Sequence, residues 1–174
     1  RVAEGWERIE GCRWVEHDRN DGDSFRLRLP DGKVEEIRLY FVDAPESAFR
    51  TYGGGRNNHD RIADQARDLG VTSEQAVEIG KKAKKMVKEW CAEGDLTIST
   101  QWEDPFGDRR YHAFIEMPDQ RGSWLHERLV AAGVVRIHTK GSDLPNGQSE
   151  SAQKRRLKQL EETARETGVG AWGL

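Results

Sequence analysis

Four acids and an arginine, placed around one short stretch of chain, are suited to phosphate chemistry. Asp21-Gly22-Asp23-Ser24 opens the stretch and Asp43-Ala44-Pro45-Glu46 closes it. Between them run two arms of alternating apolar and charged residues, 24–29 and 34–42, joined by a Pro30-Asp31-Gly32-Lys33 corner with the composition of a turn. Antiparallel pairing of the arms brings Asp21, Asp23, Asp43 and Glu46 to one end of a sheet. Carboxylates gathered in this way call for a cation, and an all-oxygen set without thiolate or imidazole suits a hard ion, Ca2+ or Mg2+. Arg38, on the second arm, supplies the opposite sign. A divalent ion beside a guanidinium is a place for a phosphate, the metal polarising one oxygen and the planar fork gripping another. Each fragment also has an ordinary reading, because Asp-Gly-Asp is common in turns and Asp-Ala-Pro-Glu could end a strand and cap the next element.

Periodicity supplies the framework for these groups. Residues 1–11 read as a lead-in anchored by Trp6 and Ile9, and a first strand is expected over 12–17. With the two arms it makes a three-stranded meander. Residues 47–72 hold a flexible Tyr52-Gly53-Gly54-Gly55 stretch, then a helix over 60–69 stopped by Gly70. Thr72 or Ser73 caps a longer helix over 74–90. Strands are expected over 95–101 and 110–117, a helix over 123–132 stopped by Gly133, an extended return over 134–138, and a last helix over 151–167 with Trp172 plugging the core. Five strands and three principal helices, plus the helical segment over 60–69, fit an α+β, β-rich fold: a five-stranded oligonucleotide/oligosaccharide-binding (OB) barrel. A doubly wound sheet is excluded because strands and helices do not alternate.

At 174 residues, with 35% apolar and 34% charged residues, the chain is expected to form a single domain, 1–174, with one modest core. A net charge of −3 argues against a protein that coats nucleic acid by bulk electrostatics, though not against an enzyme handling one phosphate at a time. The basic clusters at 81–85, 109–110 and 154–156 read as solvated faces. No apolar run approaches a membrane span. Cys12 and Cys91 fit no metal motif, and the sequence leaves open whether they form a disulfide or stay thiols. His17, His112, His126 and His138 show no ligand spacing, and Ser24 has no evident His/Asp partner for nucleophilic catalysis.

The chain resembles the staphylococcal nuclease-like (thermonuclease) family. The resemblance is carried by Asp21-Gly22-Asp23-Ser24, by Arg38-Leu39-Tyr40-Phe41-Val42-Asp43-Ala44-Pro45-Glu46, and by a Gly-Asp-Arg-Arg-Tyr-His-Ala-Phe run at 107–114. Leu129-Val130-Ala131-Ala132-Gly133 and Gly170-Ala171-Trp172 extend it over most of the chain. The resemblance implies one Ca2+ ion and a DNA or RNA substrate cleaved by water. In that scheme Asp23, Asp43 and the Ala44 carbonyl hold the ion, with Asp21 in an outer position, and Glu46 is the general base. Arg38 and Arg110 stabilise the transition state, with Arg109 as the alternative to Arg110.

The family's hydroxyl residue at position 44 is replaced by alanine, which a main-chain ligand tolerates. A carboxylate beside a metal is expected to be depressed in pKa, favouring a positional role for Glu46. The family's nucleotide-contacting tyrosines are replaced by Thr139 and Gly141, and its Lys-Tyr pair by Pro105-Phe106. The resemblance makes residues 47–72 an insertion, whose Tyr52, Arg56, His59 and Arg61 are candidates to compensate by stacking on bases, against the simpler reading of a mobile loop. The resemblance further implies a monomer, off the membrane. No leader peptide is visible ahead of Arg1, and secretion or periplasmic export of a longer precursor stays open. A catalytically silent OB module binding nucleic acid or protein is the alternative function.

Overall fold

Strand β1 runs over Glu7–Val15, beginning well ahead of the expected 12–17. Its register against a later strand shifts between Ile9 and Cys12, where Gly11 takes φ 74°. Such a bulge interrupts the alternation that marks a strand, so only the part beyond it was legible. The computed structural model describes residues 3–118 and 122–174; the first two residues of the expected lead-in lie outside them.

The acidic hairpin forms as expected. β2 (Ser24–Arg28) and β3 (Val34–Leu39) pair from Ser24 opposite Arg38 to Arg28 opposite Val34. The second arm, however, does not continue to 42. Phe41 adopts φ 71°, uncommon for a bulky residue, and the chain turns there. The conformation is held on both sides: the Phe41 N–H donates to the Lys140 carbonyl at 2.9 Å, and its own carbonyl accepts from the His138 N–H at 2.8 Å. Beyond the turn, β4 (Val42–Asp43) leaves the hairpin and pairs antiparallel with β7 (Arg136–Ile137).

Two helix boundaries fall where the sequence places them, while the helix expected over 123–132 is shorter, Leu125–Ala131. α1 (His59–Leu69) ends on the left-handed Gly70. α2 (Ser73–Cys91) opens with a reciprocal capping box between Thr72 and Gln75. After β5 (Leu96–Thr100) and β6 (Arg110–Glu116) come α3 (Leu125–Ala131) and α4 (Glu150–Thr167), the latter capped by Ser149. The five long strands close into a barrel in the order β1-β2-β3-β6-β5, with β3 and β6 parallel and the other pairs antiparallel. This is the expected α+β, OB-like architecture.

Phe25, Leu27, Ile37, Leu39, Ile98 and Phe114 belong to the main core, against which Trp6 and Trp172 pack. Cys12 and Cys91 lie in the same core as free thiols. Burial pushes them up to about 11 and about 12, making both unreactive. A smaller cluster of Ile62, Ala66, Ala76 and Val77 joins α1 to α2. Burying Ile62 completely contributes about 1.5–3 kcal/mol to that joint. The 47–58 loop is also tied down: buried Asn58 donates to the Ala48 carbonyl at 2.9 Å and accepts from the Arg50 N–H at 2.8 Å. Among the described residues no helix is long and apolar enough to cross a membrane.

Candidate active site

Two glycines let the acidic segments settle on α2. A Cβ on Gly22 would stand 2.7 Å from the Cβ of Ala83 and 3.1 Å from that of Ala44, so only glycine admits the Asp-Gly-Asp turn against the helix. Gly80 does the same from the helix side, because a Cβ there would run into the backbone carbonyls of Pro45 and Glu46. The helix therefore sits against both acidic segments through backbone contacts.

The result is one open pocket of about 810 Å³, with Asp21, Asp23, Asp43, Glu46, Arg38 and Arg110 all on its wall. Asp23 and Asp43 are buried, and Nη2 of Arg38 lies between them, 3.7 Å from Oδ2 of Asp23 and 3.6 Å from Oδ1 of Asp43. The other end of the Arg38 fork is fixed by the backbone, its Nη1 donating to the carbonyls of Leu39 and Val42 at 2.9 Å each and of Asp23 at 3.4 Å. The Ala44 N–H donates to Oδ2 of Asp23 at 2.8 Å, locking the two converging chain segments together.

Around Asp43, sequence reasoning places Arg38 at the site and names Arg61 only as a base-stacking candidate, and it misses Gln65 and Arg136. Arg136 sits directly opposite Asp43 in the β4–β7 pair and donates to Oδ2 at 2.8 Å. Arg61 of α1 donates to Oδ1 at 2.7 Å. Buried Gln65, one helical turn on, donates to Oδ2 of Asp43 at 3.0 Å and to the Ala44 carbonyl at 3.3 Å, and accepts from the Glu46 N–H at 3.0 Å. The signal that could have found them was slight. Arg61 and Gln65 share a face of the expected helix, and Arg136 lies in the expected extended return, but nothing local aims them at Asp43.

These surroundings split the acids. Burial raises the Asp43 carboxyl, but Arg61, Gln65, Arg136 and Arg38 outweigh it and hold that group below the usual range. Asp23 is raised, by burial first and then by the charges of Asp43 and Asp21, against Arg38. Asp21, which accepts from the Ser47 hydroxyl at 3.3 Å, is raised by burial and by Glu46. Glu46 is raised by burial and by Asp23 and Asp43, with Arg61 opposing. The protein's own groups thus act on Glu46 in the sense opposite to the depression expected from a neighbouring cation.

Arg110 reaches the pocket with its Nε donating to Asp108 at 2.8 Å, whereas Arg109, at φ 61°, does not line it. Of the other candidates, Tyr52, Arg61, Phe106 and Thr139 line the pocket, while Arg56 and His59 do not. His59 instead packs edge-on against Phe49. Buried His112 and His126 are pushed down to about 4 and about 3 by desolvation, and both stay neutral.

The donor chemistry fits a hard cation: three neighbouring carboxylates are raised by burial and mutual repulsion, which a positive charge relieves. The cage is not preformed, since among the described residues no three acidic, histidine or cysteine side chains converge closely enough to hold an ion.

A closed OB-like barrel carrying an acid-and-arginine pocket at the end of its β2–β3 hairpin defines a nuclease-like class of protein. Residues 36–173 match the family described as staphylococcal nuclease homologue, and the chain belongs to that family. The match begins beyond Asp21 and Asp23, whose place in the pocket rests on the structure. No curated protein matches the chain.

Proposed function

We infer that this protein is a Ca2+-dependent nuclease that hydrolyses phosphodiester bonds of DNA, RNA or both with water as the nucleophile. The observation that supports it best is the meeting, in one pocket, of Asp21, Asp23, Asp43 and Glu46 with Arg38 and Arg110. Asp23, Asp43 and the Ala44 carbonyl are the groups to hold the ion, with Asp21 behind them. A divalent cation there supplies charge to a phosphate oxygen and acidifies bound water.

The rest is the work of the chain. Arg38, fixed by three carbonyls, and Arg110, braced by Asp108, bring positive charge to the pocket, which favours the phosphoryl oxygens as negative charge builds on them. Glu46, whose carboxyl is raised by burial and by the charges of Asp23 and Asp43, takes up a proton more readily than a free carboxylate, which suits a base that draws it from water. Gln65 keeps the Glu46 backbone in register with Asp43.

The test is a digestion of labelled single-stranded DNA and RNA across Ca2+, Mg2+ and Mn2+ concentrations, with the product ends identified. Cleavage that needs Ca2+ and is lost in Glu46→Gln is the expected result. Undiminished cleavage after chelation, or in Glu46→Gln, refutes the mechanism. Binding without turnover under every metal supports the silent module instead, a reading favoured by the guanidiniums already closed on Asp43.

A further inference from the structure

Three guanidiniums surround Asp43, and they are not equivalent. Arg136 is buried and uses a second nitrogen to bind Asp68 at 2.8 Å. Arg38 is buried and fastened to three backbone carbonyls. Arg61 has a side chain 49% exposed, and its ion-pair partners among the described residues are Asp43 at 2.7 Å and Glu46 at 3.8 Å. Of the three, it alone can leave without stranding a buried charge.

It also holds the decisive oxygen. Oδ2 of Asp43 is bound by Arg136 and Gln65. Oδ1 faces Nη2 of Arg38, and through it Asp23, so a cation shared between Asp23 and Asp43 has Oδ1 as its ligand. Arg61 sits on Oδ1.

Resting on the metal-assisted reading above, we propose that Arg61 is a displaceable internal counter-cation. It neutralises the acidic centre until a divalent ion takes Oδ1 of Asp43, and is then released into the open pocket. Gln65 is the positioning residue for this exchange, since its bonds to Asp43, Ala44 and Glu46 use neither Oδ1 nor Arg61 and hold the motif still. Ion binding is linked to breaking the Arg61–Asp43 contact and is weaker by that cost.

Calorimetric titration of Ca2+ into the wild-type protein, Arg61→Gln, Arg61→Lys and Arg67→Gln, without nucleic acid, tests this. Arg67 lies on the same helix and pairs with Asp64 outside the pocket, so its loss changes the net charge equally without freeing Oδ1. Arg61→Gln is expected to bind Ca2+ on the order of tenfold more tightly than wild type, within the range typical of linked equilibria. Arg61→Lys falls between the two, and Arg67→Gln behaves as wild type. Equal affinity in wild type and Arg61→Gln, or the same gain in Arg67→Gln, overturns the counter-cation and leaves the metal-assisted reading standing. No binding of Ca2+, Mg2+ or Mn2+ to any of the four proteins overturns both. Circular dichroism checks that each variant is folded. Should Arg61→Gln fail that check, Arg61→Lys decides, with tighter binding than wild type expected and equal binding refuting.

Discussion

Gly80→Ala isolates the packing that sets Glu46 in place. The substitution adds one carbon in the interior of α2, 2.6 Å from the Glu46 carbonyl oxygen and closer still to that of Pro45. To reach a tight but tolerable 3.0–3.4 Å from the nearer oxygen, that of Pro45, helix or motif must retreat by about 0.6–1.0 Å, and backbone atoms cannot swing aside as a side chain can. Exchanging glycine for alanine in a helix favours folding by ~1 kcal/mol, whereas overpacking costs about 1–3 kcal/mol. With backbone on the receiving side, the upper end applies and the net loss is about 1–2 kcal/mol. For a chain of this size that lowers Tm by roughly 2–8 °C. The effect on rate is larger in proportion, because a misplacement of about 1 Å costs on the order of a hundredfold. A fall in kcat of about tenfold or more is therefore expected, with KM nearly unchanged. Thermal melts and steady-state cleavage of a fluorogenic oligonucleotide measure both. A variant with unchanged or raised Tm and wild-type kcat shows that only helix propensity was altered and that α2 does not seat the acidic motif.

The remaining predictions concern charge. Because burial and neighbouring acids raise the Glu46 carboxyl, the folded chain binds a proton there more readily than the unfolded one. The cost of ionising it is absent below the unfolded value of about 4.3 and fully present above the raised folded value. Glu46→Gln is accordingly expected to raise Tm at neutral pH while abolishing cleavage, and to lose that stability gain below about pH 4. A gain of equal size at both pH values, or none at neutral pH, contradicts the cause given for the shift. Arg110→Ala is expected to lower kcat on the order of a hundredfold or more, as removal of a transition-state donor does. Arg109→Ala, whose side chain does not line the pocket, should cleave at close to the wild-type rate, and a reversal of the two effects means that the wrong arginine was chosen.

The parts of the site legible beforehand are those built from neighbours in the chain. Ser24 pairs with Arg38 because alternation and the Pro30-Asp31-Gly32 corner set the hairpin register, and Asp23 and Asp43 follow from it. Thr72, Gly70 and Gly133 mark helix ends by local capping chemistry that needs no partner elsewhere. What stayed hidden was non-local or irregular: the Gly11 bulge that concealed the start of β1, and the positive φ of Phe41 that cut the second arm short. That turn is held by contacts with Lys140 and His138, about a hundred residues away in the chain and beyond any local pattern.

By itself the sequence determined which charges are present and which of them a hairpin must gather, because strand alternation and turn composition act over a few residues. Only the tertiary structure decided what those charges meet. Whether Asp43 faces a cation or a guanidinium depends on where α1 and β7 come to rest, and they are placed by the Ile62 cluster on α2 and by the two-residue pairing of β4 with β7. Interactions between groups so far apart in the chain leave no periodicity behind; they arise when the core closes and brings Arg61, Gln65 and Arg136 to one carboxylate.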